Sequence, residues 1–119
     1  MKEITDRIRN EFAEGNRFLV TLKPFEFKMG NETMNVKPGW LMGYSPELTA
    51  NGDYVHARLV NRWNAGQHAH FPLEVLAAAV EEGQVVFTNR AGLSQYEKPS
   101  DPIANGELRR YYQSIEHIR

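Results

Sequence analysis

The sequence of 119 residues has no cysteine, no large excess of charge of either sign and no long hydrophobic run. Without cysteine there is no disulfide, thiolate nucleophile, thiolate zinc site or cysteine-held iron–sulfur cluster. Small secreted domains commonly need disulfides, so their absence favours a cytoplasmic location. The most apolar run, 71–80, is far shorter than the roughly 20 residues that cross a bilayer. We therefore expect no membrane partner, and the mixed charges of residues 1–7 predict no signal peptide.

The charges are nearly balanced. There are 14 Lys and Arg residues against 15 Asp and Glu residues, which gives a formal charge of −1. No overall field attracts the molecule to nucleic acid, so affinity for an anion has to come from a local patch. The length, with 41% hydrophobic and 24% charged residues, is typical of one soluble globular domain and predicts a single domain over 1–119.

Hydrophobic periodicity predicts three helices. Ile4, Ile8 and Phe12 recur every four residues, which indicates a helix over 2–14 that ends at Gly15. Pro72 suits the first residue of a middle helix, and a last helix is predicted over about 105–118. Each helix has one apolar face, so we expect all three to dock on a sheet.

Alternating apolar and polar residues predict about five strands. Gly30-Asn31 and Asn51-Gly52 are typical of tight antiparallel hairpins. The longest strand is predicted over 53–63, residues 64–70 are predicted as a loop or frayed strand end, and 90–105 as a surface loop. The predicted fold class is α+β, with an antiparallel sheet of about five strands and the N-terminal, middle and C-terminal helices packed on one face of it.

A basic and aromatic set of residues predicts a face that binds anions. Alternation along the predicted long strand puts its basic side chains on one side, and the last helix has adjacent Arg and Tyr pairs. Guanidinium groups match phosphate, and aromatic rings stack on bases. The alternative is an ordinary solvent-exposed sheet face, with the tyrosines packed on the core. The predicted ligand-binding residues, for a nucleotide or nucleic acid, are His56, Arg58, Arg62, Trp63, Arg109, Arg110, Tyr111 and Tyr112.

The segment His68-Ala69-His70 is a candidate for metal binding. In an extended chain both imidazoles point the same way, and His56 could add a third ligand from a neighbouring strand. The string His68-x-His70-x-x-x-Glu74 resembles, over seven residues, part of the metal-binding pattern of cupins. It departs from that pattern because Pro72 predicts a helix start, which puts Glu74 in a first helical turn, where an acidic residue is favoured by the helix dipole. The alternative is therefore a polar loop followed by a helix.

The sequence contains none of the motifs G-x-S-x-G, G-x-x-x-x-G-K-[ST] or G-x-G-x-x-G, which mark nucleophile elbows and phosphate loops. It therefore favours a small non-enzymatic binding module without a cofactor, of the kind common among phage and mobile-element accessory proteins. Such a module would capture a nucleotide signal, nucleic acid or a partner protein. The alternative is a metal-dependent enzyme that uses His68, His70 and His56. The apolar face of the last helix and the apolar side chains of one strand face predict self-association as a homodimer. The strand residues are Trp40, Met42 and Tyr44.

Overall fold

The structure, a computed structural model, describes residues 2–48 and 54–118. In this part of the chain four helices and seven strands follow one another as α1 (Lys2–Ala13), β1 (Phe18–Thr21), β2 (Phe25–Met29), β3 (Glu32–Val36), β4 (Leu41–Leu48), β5 (Tyr54–Leu59), β6 (His68–Pro72), α2 (Leu73–Glu81), β7 (Val85–Thr88), α3 (Arg90–Tyr96) and α4 (Asn105–Ile115). The predicted α+β class is confirmed. No helix of the described residues is long and apolar enough to span a membrane.

Five strands form an antiparallel sheet in the order β6-β5-β4-β1-β7. Strand β1 lies between β4 and β7 because β2 and β3 leave this sheet and pair only with each other. The predicted hairpin at Gly30-Asn31 is confirmed: Met29 pairs with Glu32, and Gly30 has a φ of 63°. The predicted turn at Asn51-Gly52 lies outside the described residues.

The helices cover both faces of the sheet, whereas the sequence predicted one face. Gly43 and Tyr44 are neighbours on β4 and therefore point to opposite faces. The Tyr44 ring lies 5.9 Å from the Phe12 ring of α1. A Cβ atom on Gly43 would lie 2.5 Å from the Tyr111 ring of α4. The stripe of a helix shows which side of the helix is buried but not which face of the sheet it meets, so the prediction was wrong on this point.

The predicted stripe of α1 is confirmed, since Ile4, Ile8 and Phe12 are all buried. The helix ends as expected before Gly15, which has a φ of 94°. The Tyr44 hydroxyl oxygen of β4 lies 2.8 Å from the Asn16 carbonyl oxygen and 3.2 Å from the Ile8 carbonyl oxygen. The end of α1 is therefore tied to β4 by both packing and a hydrogen bond.

Strand β5 ends at Leu59 and not at Trp63 as predicted. After Leu59 the chain pairs with the segment that precedes α4: Ala104 N donates to Val60 O at 2.7 Å, and Asn61 forms a bridge with Ile103. Val60 N still donates to Leu41 O of β4 at 2.8 Å, so the chain gains a second partner at this point, and this long-range contact has no signal in the local alternation.

Two segments predicted as loops contain regular structure. Residues 68–72 form the edge strand β6, whose Ala69 and Phe71 are buried. Residues 90–96 form α3, so the predicted loop at 90–105 is limited to 97–104. The side chain of Asn89 caps α3 by accepting a hydrogen bond from Gly92 N at 2.8 Å, and Leu93 is buried. Both elements are short, so pairing and packing stabilise them more than their own sequence pattern does.

Candidate functional site

The eight predicted ligand-binding residues lie in three separate places. Because β5 ends at Leu59, the basic residues after it do not continue the row that begins at His56. The three places are the sheet face beside α4 (His56, Arg58, Arg110, Tyr111), the connection after β5 (Arg62, Trp63) and the outer side of α4 (Arg109, Tyr112).

At the first place, two of the predicted arginines are paired with Glu107. Arg58 donates to Glu107 Oε2 through Nε at 2.9 Å and Nη2 at 2.8 Å, and Arg110 Nη1 donates to Oε1 at 2.6 Å. Glu107 is only 8% exposed. Burial raises the pKa of Glu107, but the hydrogen bonds from Arg110 and Arg58 outweigh it and leave the pKa below its ordinary value. The charges of these arginines are therefore partly compensated within the protein.

Glu107 was not among the predicted site residues. The only local signal for Glu107 is its position in the first turn of a helix, where the helix dipole favours acidic residues. Its partner Arg58 lies 49 positions away along the chain, so a single sequence gives no sign of the pair.

We predict that Glu107→Gln lowers the free energy of unfolding at pH 7 by about 1.5–3 kcal/mol, the range for hydrogen bonds to charged groups. The pKa of Glu107 is lower in the folded protein than its ordinary value of 4.5. The ionised carboxylate therefore contributes its full stabilisation above pH 4.5, and this contribution disappears as the pH falls through the pKa of the folded protein. Denaturant unfolding of both proteins at pH 7 and pH 3 measures this. An equal difference at the two pH values would contradict the prediction.

Tyr111 is buried under α4 and offers no ring face to a ligand. It is 2% exposed, and its hydroxyl oxygen lies 2.7 Å from the carbonyl oxygens of both Arg17 and Tyr44. A hydroxyl has one hydrogen, so it donates to one carbonyl at a time. Burial raises the pKa of Tyr111 far above its ordinary value. Tyr111 thus joins α4 to β4 and to the start of β1.

The connection after β5 presents Trp63, which is 68% exposed. The Arg62 guanidinium lies 5.3 Å from the centre of its ring. Its indole Nε1 donates to the Ser100 carbonyl at 2.6 Å, and its backbone N donates to Asp101 Oδ1 at 3.1 Å. The loop after α3 therefore fixes the orientation of Trp63.

The third place is a solvent-open groove of about 770 Å³ along the outer side of α4. It combines cationic, aromatic and amide side chains, with one carboxylate. We refer to it as the α4 groove, lined by Arg17, Asn105, Leu108, Arg109, Tyr112, Gln113, Ile115 and Glu116.

Arg17, which was not predicted, is held firmly at one side of the α4 groove. Its guanidinium lies 4.7 Å from the centre of the Phe12 ring, and its Nε donates to the Phe12 carbonyl at 3.4 Å. Its own carbonyl accepts from Tyr44 N at 3.3 Å and faces the Tyr111 hydroxyl. An arginine fixed in this way loses little conformational entropy when it binds an anion.

Tyr112 forms the aromatic part of the α4 groove. It is 37% exposed, and its ring meets that of Phe18 edge-on at 5.9 Å. Burial raises the pKa of Tyr112, and the nearby charges of Arg90 and Arg17 oppose this increase. The charges of Arg90 and Arg17 therefore act on the Tyr112 hydroxyl, and Arg109 lines the same groove.

Three histidines lie together on β5 and β6, and we call them the histidine cluster: His56, His68 and His70. His56 Nε2 lies 2.5 Å from His68 Nδ1, and the ring centres of His56 and His70 are 4.9 Å apart with the rings nearly perpendicular. Burial lowers the pKa of His56, and His68, His70 and Arg58 lower it further by their charges. Within residues 2–48 and 54–118 no group of three or more His, Asp or Glu side chains is arranged so that it could hold a metal ion.

No family model, curated protein or solved structure is significantly similar to this chain.

Proposed function

We propose that this protein is a small binding module whose α4 groove takes a nucleotide. The observation that carries the proposal is that Arg17, Arg109 and the partly exposed Tyr112 line the same groove. Arginines bind phosphate oxygens through paired N–H groups, and a tyrosine ring stacks on a base.

The charges favour the α4 groove over the sheet face as the anion site. Both ion pairs among the described residues involve Glu107, which is paired with Arg58 and Arg110. Arg17 and Arg109 form no ion pair within this part of the chain, although Glu116 also lines the groove. Their charge is therefore available to a ligand, whereas binding at Arg58 would compete with Glu107.

The size of the site favours a single nucleotide over a long nucleic acid strand. A volume of about 770 Å³ lies within the usual range of about 300–1,000 Å³ for small-ligand sites. The basic residues predicted to bind the ligand lie in three places and not along one surface, and the formal charge of the whole chain is −1. A long polyanion would need many phosphate contacts along one surface.

Isothermal titration with ATP, adenosine and inorganic phosphate tests the proposal. Adenosine supplies the base without the phosphates, and inorganic phosphate supplies the anion without the base. We expect ATP to bind most tightly, and more weakly as salt rises. Arg109→Ala should weaken ATP by about 10- to 150-fold, which corresponds to about 1.5–3 kcal/mol for a charged hydrogen bond.

Arg110→Ala is the matched control, since it removes the same charge from the adjacent position of α4 but outside the groove. It should change ATP affinity by less than about threefold. Equal losses in the two variants, or tighter binding of a short oligonucleotide than of ATP, would reject a nucleotide site in the α4 groove. So would the absence of ATP binding.

Self-association and a cytoplasmic location stay predictions. Met42 and Tyr44, two of the residues from which the homodimer was predicted, are fully buried within the chain, so they offer no surface to a second copy. Sedimentation at high micromolar concentration measures the oligomeric state directly.

A further inference from the structure

The geometry of the histidine cluster leads to a second site, apart from the α4 groove. His56 on β5 lies directly opposite His70 on β6, and His68 is two residues before His70 on the same face. Directly opposed Cβ atoms in an antiparallel pair are about 4.5–5.5 Å apart, and diagonal neighbours are about 7–8 Å apart. The three rings are not arranged to hold an ion as they stand, so their convergence on one position above the strands requires rotation about the side-chain bonds.

The rings already meet through their nitrogens. The ring centres of His56 and His68 are 4.7 Å apart, but His56 Nε2 and His68 Nδ1 are only 2.5 Å apart. The nitrogens therefore lie between the ring centres, and the rings meet head to head. This contact requires the lone pair of one imidazole to face the N–H of the other, because a neutral imidazole has one of each.

We propose that His56, His68 and His70 bind one divalent transition-metal ion of the class that prefers imidazole, such as Zn²⁺, Ni²⁺ or Cu²⁺. Zinc–nitrogen bonds are about 2.0–2.1 Å long, so the ion would replace the hydrogen bond between His56 and His68, and the rings would separate. His70 would turn from its perpendicular position to supply the third nitrogen.

The surroundings favour this change. His68 and His70 are exposed on an edge strand, so rotation of their rings disturbs no core packing. The two strands fix the backbone positions of all three residues. The cation beside the cluster is Arg58, which lies directly opposite His68, and Glu107 compensates its charge at 2.8 Å, which reduces the repulsion of a metal cation. Three nitrogen ligands would leave a fourth position for water or a substrate.

The test uses the full chain, purified without a histidine tag and freed of metal with a chelator. Titration with Zn²⁺ should give one ion per chain, and Co²⁺ should give a visible absorption band of a low-coordinate site. His56→Ala, His68→Ala and His70→Ala should each weaken Zn²⁺ binding by at least about 10- to 100-fold, since loss of a ligand costs no less than loss of its hydrogen-bond partner.

His117→Ala is the control, because it removes the remaining histidine of the sequence and should leave Zn²⁺ affinity unchanged. Far-ultraviolet circular dichroism checks the fold of each variant. If the His56 variant fails to fold, the variants of the exposed His68 and His70 still test the proposal. Absence of saturable binding by Zn²⁺, Co²⁺, Ni²⁺ and Cu²⁺, or a Zn²⁺ affinity that any one of the three substitutions leaves unchanged, would overturn the proposal. ATP binding at the α4 groove is measured separately, and its presence or absence does not test the metal site.

Discussion

Phe12→Ala is expected to lower the free energy of unfolding by about 3–5 kcal/mol, the usual cost of removing a fully buried phenylalanine ring. Phe12 is 2% exposed and lies between the Tyr44 ring, at 5.9 Å, and the Arg17 guanidinium, at 4.7 Å. Neither neighbour can move in to fill the space. The Tyr44 hydroxyl is hydrogen-bonded to backbone carbonyls, and the Arg17 backbone is bound to β4.

Denaturant unfolding followed by circular dichroism measures this change. Arg9→Ala is a suitable control, because Arg9 is exposed on the same helix and should alter stability by no more than about 0.5 kcal/mol. A loss below about 1 kcal/mol in Phe12→Ala would show that α1 contributes little to the core.

Helix α1 could be predicted from the sequence because its signals are local. The spacing of Ile4, Ile8 and Phe12 and the following Gly15 are sufficient to define both the buried side and the end of the helix. The Gly30-Asn31 hairpin is similar, since the turn and both strands lie within 12 residues, Phe25 to Val36. The α+β class follows from a sum of such local signals.

The errors arise where distant contacts decide the structure. Strand β5 ends early because Val60 and Asn61 bind residues 103–104. Residues 68–72 form strand β6 because they pair with β5. In both segments, pairing with another part of the chain outweighs the alternation of side chains. A single sequence does not show which part of the chain will pair.

The candidate site shows the same division. The sequence prediction included Arg109 and Tyr112, which line the α4 groove, on the basis of residue type alone. It could not identify Arg17, which reaches the α4 groove from a position 92 residues before Arg109. It also assigned Arg58 to a ligand, whereas the structure pairs that side chain with Glu107. Residue type predicts which chemistry is available, but only the fold shows which charges are already compensated.

Gly43→Ala is expected to lower the free energy of unfolding by about 3 kcal/mol, the upper part of the usual range for overpacking a core. Propensity alone predicts the opposite sign, since alanine is the better residue within a strand. The reason for the loss is space: a Cβ atom at this position would lie 2.5 Å from Cγ and Cδ1 of Tyr111. Carbon atoms pack best about 3.5–4.0 Å apart, so the ring and the glycine backbone would have to separate by about 1 Å.

The Tyr111 ring cannot make that movement alone. Its hydroxyl is held between two carbonyl oxygens at 2.7 Å, and the ring of Phe18 lies 5.3 Å away. Helix α4 would therefore have to shift as a whole, and the shift would also stretch the pair between Glu107 and Arg58. We expect Gly43→Ala to lose part of the pH dependence that Glu107 provides, as well as stability at pH 7.

Gly106→Ala is the matched control, because Gly106 lies on α4 itself and a Cβ there would meet nothing within 4 Å. Alanine should leave stability unchanged or raise it by up to about 1 kcal/mol, since glycine is the poorer helix former. Urea unfolding of the two variants at pH 7 and pH 3 separates the explanations. If Gly43→Ala is as stable as Gly106→Ala, the close approach of β4 and α4 is not needed for the fold, and α4 can adjust its position without cost.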